Sequence, residues 1–539
     1  MRAADLFVKC LENEGVQYIF GIPGEENLDL IDALVYSSIQ FITTRHEQGA
    51  AFMADVYGRL TGKAGVCIST LGPGATNLIT GVASANMDHV PLIALAGQAS
   101  TNRLHKISHQ VLNLEQLFQP LTKYTCRIVT PETIPEIIRH AFKVAHTEKM
   151  GACFIEIPEN IAQTLVDDVV LPVTPATVTE PSIERIIKAA SIISNARNPI
   201  ILAGNGVIRA GASQALIDFV TRIKIPLANT FMAKGVIPFE HPMALGSIGL
   251  QSKDHVSTGF DTADVIICIG YDIVEYHPYL WHVNRDRSII HIDTLPADVD
   301  TSYCVSVEVV GDISTSLSQL TAQCRPRNNN PLRMLRQVLV DEMHQHSQSN
   351  DFPVKPQKII WDLRMILDNK DIVICDVGSH KMWMARMFQC EYPNTCIISN
   401  GFASMGIAVP GAIAAKLAFP KRKVIAVTGD GGFLMNSQEL ETALRLKLSM
   451  VILIWNNSGY GLIEDKQVNM FGKSNHSNFN NPDFVEYSKS FGAKGYRVTA
   501  ACELMPILAQ AITDETVSVI DCPVDYSENI QLTNEVPLI

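Results

Sequence analysis

Short, continuously apolar runs alternate with longer stretches of helical periodicity along most of this chain of 539 residues. Runs that are apolar at nearly every position indicate strands buried on both faces, which is typical of parallel sheets covered by helices. Such runs stand at 65–70, 92–97, 153–158, 199–204, 264–270, 288–293, 371–378, 396–400, 423–432, 450–457 and 517–523. The pattern therefore predicts an α/β fold of doubly wound parallel sheets.

Two segments interrupt the alternation. Residues 165–182 contain three prolines and no helical period, and residues 324–357 surround one short amphipathic helix with Pro- and Asn-rich text. They predict three domains, at 1–165, 183–325 and 355–539, each with its own sheet. One core would not serve the whole chain, because cores stop growing beyond about 250–300 residues.

The composition narrows the class of protein. With 47% hydrophobic and 18% charged residues the chain can bury several cores, and its net charge of −12 argues against nucleic acid or an anionic membrane as a partner. No run approaches the roughly 18 apolar residues of a membrane helix, and the N-terminus lacks a signal-peptide pattern. The twelve scattered cysteines form no C-x-x-C pair, which favours a reducing compartment. We expect a cytoplasmic protein without a membrane span.

Polar residues follow two neighbouring apolar runs directly in the segment 423–461. The first run leads into Gly429-Asp430-Gly431-Gly432, and the second ends at Asn456-Asn457, with 26 residues between Asp430 and Asn457. A right-handed crossover would make these strands parallel neighbours, so both side chains would lie at one edge of a sheet. A carboxylate and an amide oxygen suit Mg²⁺, and the glycines let a phosphate approach the backbone. Between the two runs, Asn436 and Glu439 have the spacing of a capping box and predict a helix start.

The order of strand, GDGG, helix, strand and NN resembles the diphosphate-binding motif of the thiamine diphosphate-dependent enzymes. The resemblance extends over nearly the whole chain and implies a pyrimidine-binding, a central Rossmann-like and a diphosphate-binding domain. It implies thiamine diphosphate and Mg²⁺ as cofactors, with the metal held by Asp430, Asn457 and the carbonyl of Gly459. The other cofactor contacts that it implies in this segment come from Gly429, Gly431, Gly432 and Tyr460.

Glu47 lies in the segment TTRHEQGAAFMADVYGRLTGKAG of the first domain. It opens a predicted helix whose Ala50, Ala51 and Ala54 are small enough for close packing. The resemblance implies that this carboxylate protonates the aminopyrimidine of the cofactor. Taken alone, the residue would be an ordinary glutamate at a helix N-terminus, where the helix dipole favours negative charge.

Further segments carry the same resemblance. They are FGIPGEENLDL, STLGPGATN, DVGSHKMWMAR, SNGFASMGIAVPGAI and a KISHQVLN text that is similar to the acetolactate synthases. The resemblance implies that Gln110 acts at the reacting centre and that Met405 supports the bent cofactor. The remaining contacts that it implies are Ile22, Pro23, Gly24, Gly72, Gly378, Ser379, His380, Gly401 and Ala403.

The central domain carries Gly204-x-Gly206 and Gly211 after a strand, a degraded dinucleotide fingerprint without the acidic residue about 20 positions on. Central domains of the family hold FAD in some members and nothing in others. The texts GYDIVEYHPYLW and SIIHIDTLPADVD resemble the catabolic acetolactate synthases and lack the Arg- and Asp-rich stretch of FAD-dependent relatives. We therefore expect no FAD.

The resemblance implies an acetolactate synthase-like carboligase, which condenses two pyruvates to 2-acetolactate and CO₂. It also implies a homodimer or homotetramer, because Glu47 and the GDG motif of one site come from different subunits in the family. The text after Asn457 departs from the catabolic pattern, which leaves the second acceptor open. One alternative is another thiamine diphosphate enzyme, either a 2-ketoacid decarboxylase or an aldehyde lyase or ligase. A non-catalytic, nucleotide-binding α/β protein is the alternative from another class.

Overall fold

Three six-stranded sheets, each parallel throughout, follow one another along the chain in the computed structural model. The structure describes residues 1–167, 169–174, 177–249, 255–327 and 332–532. The predicted α/β class with three parallel-sheet domains is confirmed. Parts of the predicted linkers, at 168, 175–176 and 328–331, and the last predicted residues of the third domain, 533–539, lie outside the described residues.

The first sheet belongs to the N-terminal domain. Its strands are β1 (Tyr18–Gly21), β2 (Gln40–Thr43), β3 (Gly65–Ser69), β4 (Leu92–Gln98), β5 (Tyr124–Arg127) and β6 (Ala152–Pro158). The helices around it are α1 (Ala3–Asn13), α2 (Leu28–Leu34), α3 (Glu47–Thr61), α4 (Pro73–Met87), α5 (Leu114–Phe118), α6 (Ile134–His146) and α7 (Glu159–Gln163). The strand order β2-β1-β3-β4-β6-β5 places the carboxyl ends of β2, β1 and β3 side by side.

The second sheet forms the central domain. Its strands are β7 (Pro199–Ala203), β8 (Leu227–Asn229), β9 (Ala244–Ser247), β10 (Val265–Ile269), β11 (Ser288–Asp293) and β12 (Val305–Val310). The helices are α8 (Ile183–Asn195), α9 (Gly206–Arg209), α10 (Ser213–Ile223), α11 (His255–Thr262) and α12 (Ile313–Gln323), and α13 (Arg333–His344) follows in the second linker. The order β12-β11-β10-β7-β8-β9 is that of a dinucleotide-binding sheet, with its switch point between β7 and β10.

The third sheet has the same strand order as the first, β14-β13-β15-β16-β18-β17. Its strands are β13 (Ile372–Cys375), β14 (Cys396–Ile398), β15 (Val424–Gly429), β16 (Met450–Asn456), β17 (Lys494–Arg497) and β18 (Val517–Pro523). The helices are α14 (Pro356–Ile366), α15 (Ser379–Met387), α16 (Ala408–Ala418), α17 (Asp430–Asn436), α18 (Glu439–Arg445), α19 (Gly461–Phe471), α20 (Phe484–Phe491) and α21 (Leu504–Thr513). None of the helices in the described part of the chain combines the length and apolarity that a membrane span requires.

The N- and C-terminal sheets share one hydrophobic core, and α3 runs through it between α4 and α16. Contact is close because small residues face each other there. A Cβ on Gly81 of α4 would lie 2.4 Å from the Cβ of Ala51, and one on Gly411 of α16 would lie 2.8 Å from Cγ2 of Val56. The alanines predicted to allow close packing, Ala50, Ala51 and Ala54, are fully buried in this core.

A buried ion-pair cluster holds the C-terminal end of α3. Arg59 Nη2 donates to Asp88 at 2.6 Å and to Asp55 at 3.0 Å, and Nη1 donates to the Ile398 carbonyl of the C-terminal domain at 3.4 Å. Burial alone would lower the pKa of Arg59, but the two carboxylates more than offset this effect and raise it. The cluster therefore holds α3, α4 and the C-terminal domain together through one charged side chain.

Replacing Arg59 with methionine should destabilise the protein strongly. The substitution leaves the carboxylates of Asp55 and Asp88 buried without their cation, and breaking such a pair costs about 3–5 kcal/mol. Urea-induced unfolding followed by circular dichroism measures the loss. Lys489→Ala is the control, since the Lys489–Glu486 pair is exposed and contributes less than about 1 kcal/mol. Equal losses in the two variants would show that the buried cluster is dispensable.

Candidate active site

The polar residues after β15 and β16 lie at one edge of the third sheet. The two strands are parallel neighbours, and Gly429 at the end of β15 pairs with Trp455 near the end of β16. Helix α17 begins at Asp430 directly, without a loop. Asp430 and Asn457 thus follow adjacent strand ends, as the crossover rule predicted.

A cavity opens at this edge, and all of its lining residues within the described chain come from the C-terminal domain. Most of the predicted cofactor residues line it: Gly378, Ser379, His380, Met405, Gly429, Asp430, Gly431, Gly432, Asn457, Gly459 and Tyr460. The sequence did not single out the rest of the lining: Val377, Gly461, Leu462, Ile463 and Tyr526. Segments that are up to 150 positions apart in sequence therefore form one binding surface.

Hydrogen bonds distinguish the roles of the two adjacent asparagines. Asn456 donates to Asp521 at 2.9 Å and is held against the sheet, whereas Asn457 lines the cavity. Asp430 accepts from the Gly431 N–H at 2.9 Å and from Asn481 Nδ2 at 2.8 Å. A buried carboxylate with an amide side chain at the next strand end presents the oxygen donors that Mg²⁺ prefers.

The main chain around Gly459 pairs with a second loop segment, residues 477–479. The Tyr460 N–H donates to the Ser477 carbonyl at 2.8 Å, and the Phe479 N–H donates to the Ser458 carbonyl at 3.1 Å. Gly459 forms an isolated antiparallel bridge with Asn478. This pairing fixes the backbone of the third predicted metal ligand at the cavity.

His380 and two helix starts give the cavity the properties of a phosphate site. His380 is 2% exposed, and its Nε2 makes no hydrogen bond with any described residue. Burial lowers the pKa of His380 to about 3, so the ring is neutral at neutral pH. Helices α15 and α19 begin at Ser379 and Gly461, both of which line the cavity, and the first N–H groups of a helix attract anions. An orphaned ring nitrogen beside such N–H groups fits a diphosphate.

Two aspartates from different domains hold the loop 399–407, which carries Ala403 and Met405. Asp376, directly after β13, accepts from the N–H groups of Gly406 at 2.9 Å and Ala408 at 3.1 Å. Asp88 of the N-terminal domain accepts from the Gly401 N–H at 2.7 Å. The loop brings Met405 to the cavity wall, whereas Gly401 faces the N-terminal domain.

Glu47 lies at the start of α3, in the N-terminal domain. Its Oε2 accepts from Asn77 Nδ2 of α4 at 3.0 Å. Gly74 adjoins it, since a Cβ on Gly74 would lie 3.3 Å from Glu47 Oε1. The carboxyl group is thus buried and oriented by a neutral amide rather than by a cation.

The remaining residues predicted in this domain surround the carboxyl ends of β1 and β3. Gly72 has a φ of +54°, and a Cβ there would lie 2.9 Å from Gln110. The loop of Ile22, Pro23 and Gly24 is held by Asn27, whose side chain accepts from the Gly24 N–H at 2.9 Å and donates to the Ile22 carbonyl at 3.2 Å. These residues form a second group, apart from the lining of the cavity.

The structure adds three residues to those that the sequence predicted: Asp376, Asn77 and Asn481. Asp376 had a readable signal, because it follows an apolar strand directly, just as Asp430 does. Asn77 and Asn481 had none, since each meets its carboxylate only through the tertiary fold. The sequence thus revealed groups at strand ends and missed those that orient them.

Comparison with known proteins agrees with this geometry. Three family models match the chain: the thiamine pyrophosphate enzyme N-terminal TPP binding domain at residues 1–119, the central domain at 186–320 and the C-terminal TPP binding domain at 376–522. The chain belongs to the thiamine pyrophosphate enzymes.

Within that family the similarity is to acetolactate synthases. The chain is 37% identical to a protein named acetolactate synthase of Bacillus subtilis (strain 168), over 99% of this chain and 95% of that protein. It is 34% identical to a catabolic acetolactate synthase of Raoultella terrigena, over 99% and 97%, and 36% identical to a probable acetolactate synthase large subunit of Methanocaldococcus jannaschii, over 99% and 93%. The prediction of a thiamine diphosphate-dependent, acetolactate synthase-like enzyme is confirmed.

A methyl group on Gly431 should weaken cofactor binding without harming the fold. Its Cβ would lie 2.8 Å from Cε1 of Tyr460 and would force that ring from the cavity wall. In the cofactor-free protein, alanine should stabilise α17 slightly, since it exceeds glycine in helix propensity by about 1 kcal/mol. For Gly431→Ala we expect about a tenfold rise in the Kd of thiamine diphosphate with Mg²⁺, measured by tryptophan fluorescence.

The matched control is Gly259→Ala, in α11 of the central domain, which should leave that Kd unchanged. A Gly431→Ala protein that binds as tightly as the wild type would exclude this face of the cavity from the cofactor site.

Proposed function

We propose that the protein is a cytoplasmic acetolactate synthase that condenses two pyruvates to 2-acetolactate with loss of CO₂. The observation that supports this most is the near full-length similarity to proteins of that name, combined with one cavity that gathers eleven predicted cofactor residues. An acetolactate synthase, the name that these relatives carry, makes its product from pyruvate. Pyruvate is therefore the substrate to test first.

The C-terminal cavity is the proposed site of thiamine diphosphate and Mg²⁺. Asp430, Asn457 and the Gly459 carbonyl would hold the metal, while His380 and the N–H groups at the starts of α15 and α19 would hold the diphosphate. When bound, thiamine diphosphate supplies the carbanion chemistry of decarboxylation and carbon–carbon bond formation. The wall around Met405 and Leu462 is otherwise apolar, and such a wall would exclude water from the reacting end once the site is closed.

Glu47 is the proposed acid–base residue. It carries the proton that is exchanged with the aminopyrimidine, and Asn77 keeps its carboxyl group in one orientation. Gln110 lies beside Gly72, in the group of residues around the carboxyl ends of β1 and β3. It is the proposed polar contact at the reacting centre. The same group includes Ile22, Pro23, Gly24 and Gly72, which are proposed to contact the cofactor.

We propose that a second copy of the chain completes the site. In the described residues Glu47 does not line the cavity that holds Asp430, so one chain presents the two halves of a site at different places. Helix α19 beside the cavity exposes Ile463, Val468, Met470 and Phe471, of which Met470 is 74% exposed. Apolar side chains at a half-site suit a homodimer or homotetramer in which each cavity receives the partner's Glu47.

The central domain is proposed to work without FAD, because its own side chains occupy the glycine turn. The Asn205 N–H, which would face a pyrophosphate, donates to Glu275 at 3.0 Å, and Thr230 donates to the same carboxyl group. A Cβ on Gly206 would lie 2.7 Å from the Gly270 carbonyl, so the turn packs against its neighbour. Burial raises the pKa of Glu275 to about 7, and in either ionisation state its oxygens fill the turn.

Aromatic side chains pack together beside the glycine turn, where Tyr271 adjoins Gly204. Tyr271, directly after β10, packs 5.8 Å from Trp281 and 5.6 Å from Tyr303 between ring centroids, and all three are buried. A dinucleotide at the switch point would have to displace this cluster.

Glu47→Gln should abolish most of the carboligation. The amide keeps the volume and the contact with Asn77 but carries no transferable acid proton, so we expect a fall of about 10²–10⁴-fold in kcat. Acetolactate formation from pyruvate, measured by conversion to acetoin, provides the assay. Glu132→Gln, on the exposed short helix before α6, should behave as wild type. Wild-type turnover in Glu47→Gln would refute the proposed acid–base role.

The products of the wild-type reaction separate the alternatives. Acetaldehyde without acetolactate would assign a 2-ketoacid decarboxylase or an aldehyde lyase or ligase. No product, together with tight nucleotide binding, would assign a non-catalytic nucleotide-binding protein.

The purified protein should be colourless and should not bind FAD. Because Glu275 and the aromatic cluster lie at the switch point, titration with FAD should leave the flavin fluorescence unchanged at protein concentrations that bind thiamine diphosphate fully. A yellow preparation with a flavin absorption band would contradict this expectation.

A further inference from the structure

A side chain of the C-terminal domain grips the backbone immediately before Glu47. Glu439, the first residue of α18, is fully buried. Its Oε1 accepts from the N–H groups of Arg45 and His46, each at 3.0 Å, and its Oε2 accepts from Thr442 Oγ1 at 2.6 Å. The two amides therefore have a carboxylate from the other end of the chain as their partner.

Gly49 makes room for this carboxylate. A Cβ at position 49 would lie 2.7 Å from Oε1 and 3.0 Å from Cδ of Glu439. Position 49 is two residues after Glu47 and belongs to the first turn of α3, where Glu439 reaches across the domain boundary. Any larger residue would push the carboxylate off the two amides.

A second contact holds the residue that follows Glu47. Asn436, the last residue of α17, donates through Nδ2 to Gln48 Oε1 at 3.2 Å and to the Gly406 carbonyl at 2.9 Å. Asn436 and Glu439 therefore clamp the chain on both sides of Glu47, at 45–46 and at 48. Both side chains are fully buried, so water does not compete for these bonds.

We infer that Glu439, assisted by Asn436, is a positioning residue for Glu47, and this inference rests on the acid–base role proposed for Glu47. The alanines of α3 lie in the core that this helix shares with α4 and α16, whereas the polar backbone before Glu47 has Glu439 as its partner. Proton transfer requires a heavy-atom separation of about 2.6–3.2 Å, and a displacement of about 1 Å costs about 100-fold in rate. The clamp keeps Glu47 within that tolerance.

The test compares Glu439→Ala, Glu439→Asp and Gly49→Ala with Glu441→Ala in the full-length protein loaded with thiamine diphosphate and Mg²⁺. Glu441 lies two residues on in the same helix and pairs with Arg445 at the surface, so it is the matched control. The first readout is amide hydrogen exchange of residues 45–48 in the cofactor-free protein, measured by mass spectrometry. The second is the rate at which the bound cofactor exchanges its acidic ring hydrogen for deuterium, measured by NMR after acid quench. The Kd of the cofactor is the third.

We expect Glu439→Ala and Gly49→Ala to expose the amides of 45–48 to exchange and to slow the cofactor exchange about 10–100-fold, with Kd changed less than about threefold. Glu439→Asp, one methylene shorter, should show the same changes to a smaller degree and provides the test if the alanine variant does not fold. Glu441→Ala should match the wild type.

The outcomes separate the two proposals. Slow cofactor exchange in Glu47→Gln together with wild-type exchange in Glu439→Asp and Gly49→Ala would overturn the positioning role and leave the acid–base role intact. Wild-type cofactor exchange in Glu47→Gln itself would overturn both. A loss of cofactor affinity that accounts for the whole effect would also overturn the positioning role, because neither Glu439 nor Gly49 lines the cavity.

Discussion

Close packing of α3 against α4 and α16 is the constraint on which the rest of the structure depends. Glycine at 81 and 411 and alanine at 51 leave no volume for larger side chains, so the N- and C-terminal sheets share one core. Each end of this helix then carries an ionisable side chain with a different task. Glu47 is presented at its start, and Arg59 joins the two domains near its end. Apolar contact thus places the middle of the helix, and polar contacts hold its two ends.

In the proposed cofactor site, strand ends, helix starts and a loop would have different tasks. Adjacent strand ends supply Asp430 and Asn457, while helix starts supply N–H groups for the anionic part. The loop with Ala403 and Met405 has no regular structure of its own, and aspartates from two domains hold it. Rigid elements thus provide the charged end of the site, and a doubly anchored loop provides its apolar middle.

Sequence reasoning succeeded where one local property decides the structure. Strands such as β10 and β16 are apolar at nearly every position, because helices cover both faces of their sheets, and all the predicted runs are strands. Seven strands were not predicted: β1, β2, β5, β8, β9, β12 and β17. Of these, β5 and β17 are edge strands that are only half-buried and have no such run. Asn436 and Glu439 were wrongly predicted as a capping box. Helix α17 starts at Asp430, and amides almost 400 residues away compete successfully for the Glu439 carboxylate. The hydrogen bond between Glu275 and the Asn205 N–H was not predicted for the same reason, because the two residues meet only in the folded chain.

The Glu275 carboxyl group of the central domain bears on how the folded fraction of the protein depends on its ligands. A protein stabilised by a bound ligand has a folded fraction that varies with the concentration of that ligand. Glu275 supplies from within the chain the acceptor that a nucleotide would otherwise bring, at a local concentration that never changes. If the domain works without FAD, as proposed, its folding is uncoupled from flavin supply. Such a chain would accumulate equally well in riboflavin-starved and in riboflavin-replete cells.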